Sequence, residues 1–456
     1  MKKQYGYMLF KRYVRFMLDR ILFRHHYILG KENMPTDGSP FIVPSNHQNA
    51  AIDPVAIVVS YPQPVHPYVL TMGGVFTWNE TLNRFWDWLG MLPAYRMNYE
   101  GVEETLKNTK FVVDFASDKM VDGFPVMVFP EMHHHNEHWM RDWAPGYLEI
   151  AFLAAKKTNY EKDVKVMPLA HHYSSYFGVQ GSYMLRYGEP ISLTPYYEQY
   201  KTKPRTTLRT VNKLVRDRVK EMMLYTDDLD HHDLYDFVRG TKLGDEYAEQ
   251  LGLKPNYLPE RLESDKKLWA AMESGLANKA DGQQVVEEME RTRLAIREEE
   301  KQLHLREHAS EKKRMSLFGI VGSLLVQIAL LPLWIVSLFP WAICYYVPPM
   351  FVPGREDRNN KMFDQSLQFI VTMLVFFPLL ALLTLLVLGI IWGWWWQALV
   401  WIVLWYPLAM FAWDYSQWVR RTYEQIVLRV RRTKATYLDT MYSKIYQLTK
   451  QLIDKK

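Results

Sequence analysis

Cysteine is almost missing from this sequence: the 456 residues hold one, Cys344. That excludes an intrachain disulfide and any cysteine-based zinc site. Its place inside an apolar run reads as a small buried hydrophobe. An uninterrupted apolar core is lacking from the N-terminal stretch MKKQYGYMLFKRYVRFMLDR. No signal peptide is expected there, so the polar part of the chain is expected on the cytosolic side. A dominant sign of charge is also lacking: 55 Lys and Arg stand against 50 Asp and Glu, a formal net charge of +5. No compact Lys/Arg face with interleaved aromatics stands out, so no nucleic-acid partner is expected. A mild basic excess suits contact with anionic lipid better. The apolar runs lack internal repeats and ionisable residues, which argues against a transporter.

What the sequence does have is apolar mass: 48% hydrophobic residues and 14% aromatics. No charge interrupts residues 315–354 or 365–413. A spanning helix needs about 20 apolar residues, so 365–413 is expected to form a hairpin turning near Gly393–Gln397. Its Trp394–Trp396 cluster fits a membrane interface. Lys312, Lys313 and Arg314 precede the first run, and Arg420, Arg421, Arg429, Arg431, Arg432 and Lys434 follow the second. The positive-inside rule then puts both flanks in the cytosol and requires an even number of crossings. Pro332 and Pro340 would break a straight helix, so a bent, re-entrant segment is expected at 315–352 within a membrane domain at 315–414. A basic, cytosolic helix is expected at 415–456.

The rest divides by pattern. Residues 5–29 mix apolar residues with Lys11, Arg12, Arg15, Arg20 and Arg24. They read as a basic amphipathic helix within 1–34, lying in a membrane interface or packed on the adjacent domain. FIVPS, HPYVL, FPVMVF and VKVMPLAHHY read as buried strands. AIDPVAIVVS, Val102–Phe115 and Gly146–Lys157 read as helices, with Pro54 tolerated in a first turn. That alternation predicts an α/β domain over 35–203 with a largely parallel buried sheet. Leu208, Val211, Leu214, Val215, Val219 and Met222 mark one face of a closing helix. The strongly charged stretch within 204–314 reads as a solvated helical connector or arm.

The chemistry concentrates in PSNHQNAAIDP. His47 sits where a strand hands over to a helix, and Asp53 follows at the sixth position. One and a half helical turns can return Asp53 toward His47. A carboxylate on one imidazole nitrogen fixes the tautomer and stabilises the imidazolium formed when the other nitrogen takes a proton. Such a base lets a substrate hydroxyl act as nucleophile, with no protein Ser or Cys required. Arg96 ends the apolar stretch MLPAYR, and a guanidinium fork suits a phosphate. His133, His134, His135 and His138, with His171 and His172, are enough ligands for zinc on paper. Adjacent histidines on one chain rarely face one ion, and no H-E-x-x-H pair is present. No metal is expected, and polar lining of a phosphate pocket is preferred.

Taken together, His47 with Asp53, Arg96, Phe129-Pro130-Glu131 and Pro168 resemble the phospholipid/glycerol acyltransferase superfamily over roughly residues 35–195. The family usually places four residues between His and Asp, whereas five stand here. HQNAAIDP looks closer to the branch of fungal-type glycerol-3-phosphate and dihydroxyacetone-phosphate acyltransferases. Phe-Pro-Glu is normally followed by Gly and Thr or Ser, and here Met132-His133-His134-His135-Asn136 follows. His135 falls where the fungal-type branch tends to place a His. The resemblance implies His47 as base and Asp53 as its partner. It implies substrate binding by Asn46, Arg96, Glu131, His135 and Pro168. Glu131 is expected to accept a glycerol hydroxyl or to brace its loop, and Pro168 to shape the pocket.

The implied activity is transfer of a fatty acyl group from acyl-CoA or acyl carrier protein, as co-substrate, with no bound cofactor. The acceptor would be 1-acylglycerol-3-phosphate or glycerol-3-phosphate, in phospholipid biosynthesis. Other lyso-lipids, including amino-acid lipids, remain open as acceptors. The competing class is a non-catalytic membrane lipid-binding scaffold. The expected partners are membrane lipids and the thioester carrier, and the expected place is a membrane with the catalytic domain in the cytosol.

Overall fold

FIVP and VMV, the two apolar runs nearest the motif, are wholly buried and form neighbouring parallel strands. Continuous rather than alternating apolarity is what a sheet covered on both faces demands. The computed structural model describes residues 5–62, 66–72, 79–94, 102–131, 134–135, 137–176, 179–339, 342 and 358–454. They divide into two compact units. One comprises Met1–Tyr225 and Gly354–Ile370, the other Thr226–Pro353 and Val371–Lys456.

In the first unit the strands are β1 Phe23–Leu29, β2 Phe41–Pro44, β3 Tyr68–Met72, β4 Met91–Ala94, β5 Val126–Val128, β6 Lys165–Val166, β7 Leu169–Tyr173, β8 Gly181–Tyr187 and β9 Ile191–Ser192. Six of them form a sheet in the order β4-β3-β5-β2-β6-β9. It is parallel from β4 to β6, and β9 adds an antiparallel edge. Helices Val102–Val121, Tyr147–Lys157 and Pro204–Met222 join its core through Ala116, Met120, Leu148, Phe152, Val211 and Val215. The closing helix buries Leu208, Val211, Val215 and Val219, the face its spacing predicts.

A second sheet, β1-β8-β7, lies outside the sequence expectation. VKVMPLAHHY is two strands in two sheets, and Pro168 stands at the switch. Met167 N–H still donates to Ile42 of β2, while the Pro168 carbonyl accepts from Gly188 beyond β8. Proline cannot donate to a ladder, so it belongs where pairing changes hands.

Residues 5–29 correct the single-helix expectation. The helix is Tyr5–Phe16, a π-helical turn follows at Met17–Leu22, and Phe23–Leu29 is strand β1, parallel to β8. The run FRHHYIL is rich in aromatic and β-branched residues, and strand pairing outweighs the helical spacing. Val14, Met17, Leu18, Ile21 and Leu22 are buried, so one face packs on the domain.

The second unit corrects the solvated-arm reading. Helices His232–Gly240, Lys242–Gln250, Leu258–Asn278 and Gly282–Gln302 bury Leu234, Tyr235, Leu268, Trp269, Met289 and Ile296. The C-terminal helix Arg432–Ile453 adds Leu438, Tyr442 and Ile445 to the buried set. Charged residues are abundant along these helices, and the apolar positions at helical spacing still make a bundle core.

Among the described residues three helices are long and apolar enough to cross a membrane: Leu317–Ser337, Lys361–Ile391 and Trp395–Val430. The last two are joined at Trp392–Trp394, where Gly393 takes a positive φ of 68°. The sequence places a turn near Gly393–Gln397, and here the following helix already begins at Trp395. Pro332 sits inside a continuous helix, so it does not break the first run. The return leg expected after it, at Pro340 and beyond, lies outside the described residues.

Candidate active site

The loop from β2 into helix Ile52–Ser60 holds the two central side chains. His47 Nδ1 lies 2.8 Å from Asp53 Oδ2. The extra residue between them is absorbed by a tight turn: Ile52 N–H donates to the Asn49 carbonyl, and Ala50 adopts a φ of 41°. That left-handed conformation is costly for a residue with a Cβ. It turns the Gln48 and Asn49 N–H groups onto Asp53 Oδ2, each at 2.8 Å.

Asp53 is fully buried, and its other oxygen accepts from the Tyr173 hydroxyl at 2.5 Å. His171 Nδ1 stands 3.6 Å from that same oxygen. Burial pushes the Asp53 carboxyl up, but the His171 and His47 rings and the Tyr173 hydroxyl hold it down at about 2. His171 is itself lowered to about 4 by burial, with Asp53 opposing and His47 reinforcing. At neutral pH His171 is therefore a neutral neighbour, and the hydrogen bonds keep Asp53 ionised. Burial also lifts the Tyr173 hydroxyl well above the ordinary range, so it stays a donor.

Asp53 thus fixes His47 through Nδ1. Among the described residues Nε2 of His47 makes no hydrogen bond, and the side chain is 17% exposed. Phe129 stacks on the ring at 4.3 Å between centroids, and His134 meets it edge-on at 5.6 Å. A ring held in place at one nitrogen and open at the other can take a proton from a bound hydroxyl and pass it on.

Glu131 lies under the loop and is 3% exposed. Its Oε1 accepts from the His47 N–H at 3.0 Å. Its Oε2 accepts from Arg141 N–H and meets His135 Nε2, each at 3.1 Å. These contacts are with the loop that bears His47 and with the segment after Glu131. His135 is buried against Glu131 and stacks on Trp139 at 4.3 Å, and its N–H donates to the His47 carbonyl. It supports the loop rather than facing an open pocket. Asn46 is buried and clamps β7: its Oδ1 accepts from His171 N–H at 2.7 Å and its Nδ2 donates to the His171 carbonyl at 3.2 Å. Pro168 shapes the sheet switch. Arg96 lies outside the described residues, as do Met132, His133 and Asn136.

The described histidines are drawn to different partners. His135 meets Glu131, His138 meets Tyr176 at 3.2 Å, and His134 stacks on Phe363 at 5.8 Å. Among the described residues no group of His, Asp or Glu is arranged to hold a metal.

Sequence reasoning missed Tyr173, Phe363 and Ser366, and it gave His171 no place beside Asp53. His171 and Tyr173 alternate on β7 and so point to one face, where both reach Asp53; the period-2 spacing was the available signal. Phe363 and Ser366 come from far along the chain. Ser366 Oγ lies 3.4 Å from the Ala51 N–H, at the start of the helix bearing Asp53. No local pattern announces that approach.

Residues 26–172 match the family model described as Acyltransferase. Among solved structures the chain is similar to the crystal structure of the 1-acyl-sn-glycerophosphate (LPA) acyltransferase PlsC from Thermotoga maritima. The identity is 18% over 48% of this chain and 78% of that one, with a TM-score of 0.35. No curated protein matches the chain. Residues 26–172 thus carry an acyltransferase domain, about a third of the chain.

Proposed function

We propose that this acyltransferase moves a fatty acyl group from a thioester, acyl-CoA or acyl carrier protein, to a hydroxyl of a glycerol-phosphate lipid precursor. The acceptor is 1-acylglycerol-3-phosphate or glycerol-3-phosphate. The observation that carries this reading is the His47–Asp53 pair, with Nδ1 held at 2.8 Å and Nε2 unbonded among the described residues.

The acceptor hydroxyl gives its proton to His47 Nε2 as its oxygen attacks the thioester carbonyl. Asp53, ionised and buried, stabilises the imidazolium that results. The carbon–sulfur bond then breaks, and the departing thiolate takes the proton back from His47. The products are an ester and a free thiol, and the base is restored. Arg96 is proposed to seat the acceptor phosphate. Glu131, His135, Asn46 and Pro168 act by holding the loop and the strands around the base. The apolar helices support a site beside a bilayer, into which an acylated lipid can leave. The catalytic unit is proposed to face the cytosol, on the strength of the basic flanks.

The test is a panel of acceptors with the detergent-purified full chain. Thiol release from acyl-CoA and from acyl carrier protein is followed with each acceptor. Release should depend on a glycerol-phosphate acceptor and disappear in His47→Ala. Release unchanged in that variant would defeat the mechanism. Release with only a different lyso-lipid would reassign the acceptor, and none with any acceptor would favour a lipid-binding scaffold.

A further inference from the structure

The opposite end of helix Ile52–Ser60 from Asp53 carries a second feature. A cavity of about 240 Å³ lies beyond Ser60, lined by Lys11, Arg12, Arg15 and Lys31 with Tyr61 and Pro62 among its walls. Four cations share it. Lys11 is 4% exposed, and its ammonium donates to the Tyr61 carbonyl at 2.8 Å. Arg15 is paired with Asp19 at 3.2 Å. That carboxylate also meets His26 at 3.5 Å and accepts from Tyr183 at 2.9 Å. Among the described residues Lys11, Arg12 and Lys31 have no carboxylate partner. Asp19 is thus fully engaged, and the cavity keeps an excess of positive charge.

Like charges gathered in a half-buried space repel one another and lose hydration. Both effects lower the Lys11 ammonium to about 8, burial first and then Arg15 and Lys31. Burial and then Arg15 lower Lys31 in the same direction, against the opposing pull of Asp19. An anion in the cavity reverses the repulsion. Helix Tyr5–Phe16, which bears Lys11, Arg12 and Arg15, presents Tyr5, Leu9 and Phe16 to the exterior, 76%, 71% and 43% exposed. Spacings of four and seven residues place them on one stripe, and exposed Arg12 lies within it. An apolar stripe beside a cationic cavity matches the two halves of a phospholipid, its acyl region and its headgroup.

We propose that the Lys11, Arg12, Arg15 and Lys31 cavity binds the headgroup phosphate of an anionic phospholipid, with Tyr5, Leu9 and Phe16 against its acyl region. This site is separate from the His47 centre and does not require its chemistry.

The experiment uses the full chain, delipidated by detergent exchange, and follows its thermal unfolding midpoint. The probe is dihexanoyl phosphatidylglycerol, a phosphodiester that is neither acceptor nor product of the proposed reaction. At several times its Kd it should raise the midpoint by roughly 2–4 °C. The same rise is expected in His47→Ala. It should be lost in Arg12→Glu combined with Lys31→Glu, and reduced in Arg12→Gln, a milder change if the double variant folds poorly. An equal rise with dihexanoyl phosphatidylcholine would make the apolar stripe alone responsible and overturn the proposal. An equal rise with inorganic phosphate would make it a free-anion site and overturn the lipid. No rise, or a rise kept in both variants, would overturn the site.

Discussion

At the scale of single residues, the site turns on how one carboxylate is held. Asp53 has a salt-bridged imidazole, two backbone N–H groups and a tyrosine hydroxyl around it. Asp53→Asn keeps the shape but loses the charge and the tautomer control. It should lower kcat about 10²- to 10⁴-fold with little change in KM, measured by steady-state thiol release. A loss confined to KM would argue against that role. Glu131 separates a brace from a substrate ligand. Glu131→Ala leaves the His47 N–H without its acceptor and should cost about 1–3 kcal/mol of stability, seen as a lower unfolding midpoint together with a lower kcat. An unchanged midpoint with a raised acceptor KM would instead make Glu131 a binding residue.

His171 gives the pH dependence. Its folded value, about 4, lies below the ordinary 6.5. Between the two the unfolded chain binds the proton and the folded chain does not, so acid favours unfolding there. Stability should fall by on the order of 3 kcal/mol as pH drops from about 6.5 to about 4. Asp53 acts lower: its contribution is lost only as pH falls from the ordinary carboxylate range through about 2. Unfolding midpoints across pH should show this slope, and His171→Gln should flatten it. A slope unchanged in His171→Gln would remove His171 as its source.

At the scale of elements, an added residue changed a loop rather than the pairing it serves. Ala50 takes the strained conformation, and His47 still reaches Asp53. Ala50→Gly should therefore be neutral or stabilising by about 0.5–1 kcal/mol, and Ala50→Val destabilising by more, in parallel unfolding curves. Equal losses in both would mean that the turn is not under strain. The same scale explains the polar seam between two apolar helices. Ser323 and Gln327 meet Thr422, the Tyr415 hydroxyl donates to the Gln327 carbonyl, and the Trp334 ring nitrogen donates to Ser416. Interhelical hydrogen bonds of this kind hold helices where apolar burial gives no drive.

At the scale of the molecule, that seam fixes a direction. Met315, Ser323, Gln327 and Trp334 meet Gln425, Thr422, Tyr415 and Ser416 in turn, so Leu317–Ser337 and Trp395–Val430 run antiparallel. Arg306 pairs with Glu424 and Arg314 with Asp439 at the same end. The two basic flanks therefore lie at one end of this helix pair. With Cys344 replaced, single cysteines at Lys313 and at Arg432 should be labelled by an impermeant reagent from one and the same side. Labelling from opposite sides would overturn the arrangement.

The sequence by itself determined much of this protein. Continuous apolar runs marked the strands, uncharged stretches marked the membrane helices, and the order of His47, Asp53, Phe129-Pro130-Glu131 and Pro168 pointed to the family. These are local signals, set by burial and by chain spacing. It did not determine where VKVMPLAHHY divides, because one apolar run suits either sheet until partners are present. Nor did it show that FRHHYIL would pair with β8, or that a charged stretch would fold into a bundle. Only the tertiary structure surrounded the Asp53 carboxylate with His171 and Tyr173, 118 and 120 residues away. A buried charge needs partners from several strands at once, and proximity of that kind is a property of the fold rather than of the order of residues.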